Sequence, residues 1–256
     1  MERDMEGKVA LVTGASEGIG LATAILLARR GATVAICARK QAKLDKAIAE
    51  LSAVGPAEAH VLDVSDSAAL TALIEDIAAR HGRLDMLVNN AMSNTYGAIA
   101  DLTIEGWHRD FRVNADAVFI ATKAAMKLME ASGGGSIVNV ASTNGLLAAP
   151  RMSSYSASKA ALIHFTACAA MEGAPLGIRV NTIVPGMVMT RATEDYMTYS
   201  GEQAERTVHA IPMERAGRPD ELAEAIVFML SDAASYITGV ALPVDGGKSV
   251  QLYLPS

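Results

Sequence analysis

The sequence predicts an α/β protein, a doubly wound parallel sheet of about seven strands with helices on both faces. Three observations carry that expectation. Short apolar runs alternate with longer helical runs along almost the whole chain. A glycine-rich turn, Gly14-Ala15-Ser16-Glu17-Gly18-Ile19-Gly20, joins the first apolar run to the first helical one. The alternation breaks once, in the long segment from Met187 to Arg215.

The elements follow in order. Lys8 to Val12 is short and apolar, as a strand buried on both faces would be. Leu21 to Arg30 favours helix, and Gly31 is placed to stop it. Thr33 to Cys37 is the second strand, Gln41 to Leu51 a helix and Ala59 to Leu62 the third strand. Ser67 to Arg80 and Ile104 to Glu130 read as helices on either side of a strand at Met86 to Val88. Strands at Ile137 to Val140 and Ile178 to Ile183 flank a helix from Tyr155 to Glu172. Pro219 opens the last long helix, to Leu230, with Asp220 and Glu221 suited to its dipole; Val240 to Val244 is the last strand. Gly133-Gly134-Gly135 is a loop, too short for a domain linker, so residues 1–256 are expected to form one domain with a substrate lid at 187–215.

A strand–turn–helix with glycines in the turn can bring backbone amides close to an anion. A side chain would block that approach, and the helix N-terminus adds unpaired N–H groups and a favourable dipole. The spacing here is G-x-x-x-G-x-G, and its βαβ setting favours a dinucleotide over an ordinary tight turn. The adenosine ribose of such a ligand lies near the end of the second strand. An acid there would select a 2′-hydroxyl, whereas a guanidinium can pair a 2′-phosphate. This chain has Arg39 and Lys40 after Ala38 and no acid at that point, which predicts NADP(H) over NAD(H); the bland alternative is two solvated cations at a helix start.

Ser142 follows the fifth strand, and Tyr155 and Lys159 stand four residues apart on a helix, within mutual reach on one face. A phenol titrates near ~10, and a neighbouring cation would favour its ionised form. A lowering of roughly three units, about 4 kcal/mol, would bring it into the range of acid–base work at neutral pH. A Tyr-x-x-x-Lys pair alone is a commonplace of exposed helices. The glycine turn upstream and the serine at a strand end give it chemical meaning.

With these motifs in this order, the chain resembles a short-chain dehydrogenase/reductase over almost its whole length. Thr13 to Gly20 matches the family's T-G-x-x-x-G-x-G, Asp63-Val64 its acid after the third strand, and Asn89-Asn90-Ala91-Met92 its N-N-A-G. Asn114 matches the helix asparagine, Ser142, Tyr155 and Lys159 the catalytic set, and Pro185-Gly186 with Thr190 the segment after the sixth strand. The resemblance implies a single-domain Rossmann-type fold. It implies Tyr155 as acid–base residue, Lys159 lowering its pKa and binding the nicotinamide ribose, Ser142 orienting the carbonyl and Asn114 holding a water in a proton relay. The implied cofactor contacts are Gly14, Ser16, Gly18, Ile19, Gly20, Arg39, Lys40, Asp63, Val64, Asn90, Tyr155, Lys159, Pro185, Gly186, Val188 and Thr190. Met92 departs from the family glycine; it is either strained at positive φ or a tolerated side chain at the substrate mouth. The resemblance also implies a homotetramer built on the helices Ile104–Glu130 and Tyr155–Glu172, where Ala161, Phe165, Cys168, Ala169 and Met171 ask for more burial than one sheet provides. The apolar tail from Val250 to Pro255 would then cover a neighbour's site.

Composition excludes other classes. The 256 residues are 51% hydrophobic with a net charge of −6 and no basic block, which argues against nucleic-acid binding. No apolar run approaches the roughly 18 residues a membrane span needs, and the start Met1-Glu2-Arg3-Asp4 is unlike a signal peptide. Cys37 and Cys168 fit a reducing, cytoplasmic setting. The five histidines show no ligand spacing, so no catalytic metal is expected. Met187, Met189, Tyr196, Met197, Tyr199 and Met213 in the lid, with Leu146, Leu147 and Met152, suggest an apolar substrate pocket in which Ser142, Leu147, Met152, Tyr155, Met187 and Met197 touch substrate. Only Arg151 stands beside Ser142 in sequence, which argues against a compact anionic substrate. The leading reading is an NADP(H)-dependent reductase or dehydrogenase interconverting a small-molecule carbonyl compound and an alcohol. A 3-oxoacyl thioester reductase, a nucleotide-sensing binding protein, and a lyase or isomerase using the cofactor internally remain as alternatives.

Overall fold

The computed structural model describes residues 3–251; the side chains of Ala192, Tyr196, Tyr199, Ser200 and residues 202–204 fall outside that description. The expectation for the tail therefore lies almost wholly outside the described residues, as do the side chains of Tyr196 and Tyr199 in the lid.

The strands are β1 Val9–Thr13, β2 Thr33–Ala38, β3 Ala57–Val61, β4 Met86–Asn89, β5 Gly135–Val140, β6 Ile178–Pro185 and β7 Ala241–Val244. They form one sheet in the order β3-β2-β1-β4-β5-β6-β7, with every neighbouring pair parallel. The intervening helices are α1 Gly18–Arg29, α2 Gln41–Ser52, α3 Ser67–His81, α4 Ile104–Phe111, α5 Ala117–Ala131, α6 Ser153–Gly173 and α9 Pro219–Leu230, with α7 Arg191–Ser200 and α8 Glu202–His209 in the long segment after β6.

All of β1 is buried because both faces are covered. Its side chains alternate with the two-residue period of a strand. Ala10 and Val12 join the core with Leu27 of α1 and Ile226 of α9. Val9 and Leu11 join the opposite core with Ile74 and Ile77 of α3 and Ala121 and Ala125 of α5. The chain winds outward from β1 to β3, then crosses back to β4. The order thus reverses between β1 and β4, and a crevice opens beyond their carboxyl ends.

Several expectations change in detail: Gly135 opens β5 instead of belonging to the loop, α6 begins at Ser153 rather than Tyr155, and β6 runs on to Pro185. The third strand runs from Ala57 rather than Ala59, because the ladder to β2 starts when Val34 donates to the Pro56 carbonyl at 3.0 Å. The first long helix begins at Gly18, inside the glycine turn, rather than at Leu21. The helix expected from Ile104 to Glu130 is broken by a π turn at Arg112–Asp116, between α4 and α5. Such a turn inserts a residue and re-aims the side chains around it. Asn114 sits in its middle. The segment after β6 is closed at its root, where Met189 N–H donates to the Gly217 carbonyl at 2.7 Å and Gly217 N–H to Met187 at 2.9 Å.

Candidate active site

The glycine turn follows β1. Gly14 has φ +65°, and a Cβ there would stand 2.7 Å from the Ala91 Cα, so both conformation and crowding demand glycine. Gly20 is tight for another reason: its Cβ would meet the Asn90 Nδ2 at 2.5 Å. That amide donates to the carbonyls of Thr13 and Gly14, each at 3.0 Å, while the Thr13 hydroxyl accepts from the N–H groups of Asn90 and Ala91 at 3.0 and 3.1 Å. Asn90 thus ties the end of β4 to the turn. Glu17 precedes α1 without a side-chain cap, so the first N–H groups of that helix are left for an anion. The Glu17 carboxylate turns instead to Lys43, at 2.6 Å.

A cavity of about 730 Å³ opens over this crevice. It is lined by Gly14, Ser16, Gly18 and Ile19 of the turn, Arg39 and Lys40 after β2, Asp63 and Val64 after β3, and Asn90. Ser142, Tyr155, Lys159, Pro185, Gly186, Met187, Val188 and Thr190 line it as well. Burial pushes the Asp63 carboxyl up, but hydrogen bonds from the Ser65 backbone and hydroxyl, with the Arg39 charge, outweigh it and leave the pKa below the usual carboxylate value. Uncapped helical amides, a glycine cradle and two cations at the end of β2 form a donor set that fits a dinucleotide.

At the other end of the cavity, Ser142 follows β5 in extended backbone, and its hydroxyl accepts from the Asn144 N–H at 3.2 Å and hydrogen-bonds Tyr155. Tyr155 and Lys159 lie one turn apart on α6, both buried. The Lys159 Nζ donates to the Val140 carbonyl at 2.8 Å and stands 5.8 Å from the centre of the Tyr155 ring. The expected lowering of the phenol pKa is corrected here. Burial pushes Tyr155 above its ordinary value; the Ser142 hydrogen bond opposes this, and the Asp110 charge adds to it. Burial also pushes the Lys159 ammonium down to about 7. Desolvation opposes charge on both groups, so near neutrality the ammonium is only partly present to favour a phenolate.

Several expected residues stand elsewhere. Asn114 is fully buried behind the cavity wall, where its Nδ2 donates to the Ser93 carbonyl at 2.8 Å and the Ser158 hydroxyl at 2.9 Å, and its Oδ1 accepts from Ser93 N–H at 2.9 Å. Its side-chain amide is thereby held by protein groups. Gly20 lies beneath Asn90 rather than in the lining. Leu147, Met152 and Met197 do not line the cavity. Leu147 is 47% exposed, the Met152 sulfur accepts from Asn144 Nδ2 at 3.2 Å, and Met197 is half-buried in α7. Met92 does line it, and it is not among the described non-glycine residues with positive φ, which are Arg151 and Glu214; the strained alternative is thereby removed.

The cavity also holds residues that linear reading passed over: Ser93, Arg109, Arg112 and Arg191. Behind them Asp110 is completely buried. Its signal was its spacing, four residues before Asn114 on a face that continues into buried Ala117. Arg151, the one cation adjacent in sequence to the catalytic loop, instead stacks over Tyr96, 5.0 Å from its ring centre.

A sequence profile of the family described as enoyl-(acyl carrier protein) reductase matches residues 14–249. A 3-oxoacyl-(acyl-carrier-protein) reductase of Thermotoga maritima is 38% identical over 244 residues, covering 95% of this chain and 98% of its own. A cyclopentanol dehydrogenase of Comamonas is 39% identical over 242 residues, 94% of this chain and 96% of its own. Among solved structures, levodione reductase superposes with a TM-score of 0.93 at 30% identity, over 97% of this chain and all of that one. A candidate 2-deoxy-D-gluconate 3-dehydrogenase from Agrobacterium tumefaciens with bound NADP superposes at 0.89 and 33% identity, over 97% and 99% of the two chains. A xylitol dehydrogenase with bound NAD+ also superposes at 0.89 and 33% identity, over 95% and 99%. The chain belongs to the short-chain dehydrogenase/reductase family, and is an oxidoreductase of the kind that acts on CH–OH or carbonyl groups with a nicotinamide cofactor.

Proposed function

We propose that this protein is an NADP(H)-dependent reductase or dehydrogenase that interconverts a ketone or aldehyde and the corresponding alcohol. The reading rests on one juxtaposition: Ser142, Tyr155 and Lys159 share a cavity with the glycine turn and with Arg39 and Lys40. A nicotinamide dinucleotide held by the glycine turn and by Arg39 and Lys40 would supply the hydride chemistry. Ser142 holds the substrate oxygen, and Tyr155 donates its proton to that oxygen in reduction or takes it back in oxidation. Lys159 lies beside the phenol ring, with burial disfavouring its charged form. Glu17 neutralises Lys43, which leaves Arg39 and Lys40 to meet a 2′-phosphate. One domain would carry both sites, the segment 187–215 closing over the substrate from a cytoplasmic homotetramer.

A 3-oxoacyl thioester as substrate has its own support. Arg109, Arg112 and Arg191 line the cavity, so anionic or phosphate-bearing substrates are better accommodated than the sequence suggested. The T. maritima relative acts on an acyl-carrier-protein thioester by its name.

The test is a panel of cyclic ketones, aromatic ketones and a 3-oxoacyl thioester, followed by the absorbance of reduced nicotinamide with NADPH and with NADH. Tyr155→Phe is expected to lose at least about 10²-fold in kcat. Arg39→Ala is expected to lower kcat/KM for NADPH about tenfold and leave that for NADH nearly unchanged. Full turnover by Tyr155→Phe would remove the proton-transfer assignment, and an unaltered cofactor preference in Arg39→Ala would remove the NADP(H) assignment.

A further inference from the structure

Two rungs of hydrogen bonds join α6 to the segment that follows β4. In one, Asn114 bridges Ser93 and Ser158, and the Ser158 hydroxyl donates to the Tyr155 carbonyl at 2.8 Å. In the other, Asp110 accepts from the Ser154 hydroxyl at 2.6 Å, the Ser93 hydroxyl at 2.8 Å, and the Thr95 N–H and hydroxyl at 2.8 and 3.0 Å. The two rungs leave α6 at Ser154 and Ser158, each one residue before a member of the Tyr155–Lys159 pair. The spacing is four residues on both sides, so the rungs and the pair repeat together.

The Asp110 rung differs from the other in carrying charge. All four of its donors are neutral, and the carboxylate is fully buried. Arg109 approaches only as far as the Thr95 hydroxyl, at 2.9 Å. Three hydroxyls and an amide are the donor set a buried carboxylate needs when no cation pairs it. A position that held only packing would be filled by an apolar side chain at lower cost.

We propose that Asp110 is a positioning residue for the proton transfer, fixing the turn of α6 that carries Tyr155 against the 93–95 wall of the substrate cavity. The proposal rests on the acid–base role assigned to Tyr155. Asp110 also acts through space, because its negative charge disfavours a phenolate nearby. The other charged groups are Lys159, 5.8 Å from the ring centre on the same helix, and Arg109, Arg112 and Arg191, which line the same cavity. Glu17, Arg39, Lys40, Lys43 and Asp63 lie around the ends of β1, β2 and β3, while the turn after β5 contributes Ser142 and Asn144 without charge. Arg109 keeps its own partner in Thr95 when only Asp110 is changed.

The experiment compares Asp110→Asn, Ser154→Ala and Tyr155→Phe in the enzyme, with NADPH on whichever ketone of the panel is turned over and with NADP+ on its alcohol. Removing the charge should move the Tyr155-dependent limb of the kcat/KM profile to lower pH in both directions of reaction. Oxidation would then persist into more acid solution and reduction would fail earlier toward alkali. Ser154→Ala keeps the charge; its limb should stay in place while kcat falls about tenfold at unchanged NADPH affinity. An unmoved limb in Asp110→Asn overturns the proposal, because a merely structural residue would alter rate or stability without titrating the phenol. Should Asp110→Asn not fold, Ser154→Ala decides alone: wild-type kcat, or a lowered kcat accompanied by a lowered melting temperature, overturns the proposal, and a lowered kcat at unchanged melting temperature and unchanged KM for NADPH upholds it. Turnover by Tyr155→Phe would instead strike the underlying reading, so the two failures are distinguishable.

Discussion

Lys159 shows how a residue's environment can reverse the inference drawn from its neighbour. Four residues from a tyrosine, an ammonium should favour the phenolate. In the fold it is buried, its Nζ donates to the Val140 carbonyl, and its pKa falls to about 7. Tyr155 is pushed in the opposite direction, mainly by the same loss of water. A neutral phenol is already the form that donates a proton to a carbonyl oxygen, so this arrangement suits reduction. It also costs stability. A lysine whose folded pKa lies below its unfolded value binds fewer protons folded than unfolded, so stability is lowest below about 7 and rises with pH toward the unfolded lysine value near ~10.4. Lys159→Met is therefore expected to abolish this rise and to stabilise the nucleotide-free protein at pH 7 while removing activity. Urea unfolding at a series of pH values checks it, and parallel pH dependences in the two proteins would refute it.

At the scale of elements, the glycine turn is a meeting of three segments rather than a flexible loop. Thr13 and Asn90 tie β1 to the end of β4, and Gly14 lets Ala91 come within contact of the backbone. Gly14→Ala is expected to cost about 1–3 kcal/mol for its positive φ alone, with a further penalty from the Ala91 contact. Its melting temperature and its affinity for NADPH should fall together; an unchanged midpoint with unchanged binding would contradict the crowding argument. The π turn is the second such element. Helical periodicity from Ile104 to Glu130 is continuous in the sequence, so nothing in the pattern marks the interruption at Arg112–Asp116. It follows from tertiary demands: Asn114 must reach Ser93 and Ser158 while Val113 and Ala117 stay in the core.

For the whole molecule, the two cores on opposite faces of the sheet leave some large apolar side chains outside both. Phe119 of α5 is 50% exposed and Met171 of α6 is 78% exposed, on the helices for which an interface was expected. Light scattering behind size-exclusion chromatography is expected to give a tetramer, and Phe119→Asp with Met171→Asp to reduce it to smaller species; a monomeric wild type would refute the assembly. Among the described residues no helix is long and apolar enough to cross a membrane.

The alternation of apolar strands and amphipathic helices, with glycine at a βα turn, determined the sheet, its parallel sense and the side on which the cavity opens. Those are consequences of local periodicity and right-handed crossover, which are written along the chain. Motif spacing likewise placed Ser142, Tyr155 and Lys159 together. What only the tertiary structure decided was the electrostatic character of the site. Arg109, Arg112 and Arg191 come from two distant segments to line one cavity. Leu147, Met152 and Met197, near in sequence to lining residues, stay outside it. Asp110 enters from α4 to meet Ser154, a partner 44 positions away. Charge and desolvation depend on distances across the fold, and those distances are set by packing rather than by sequence separation.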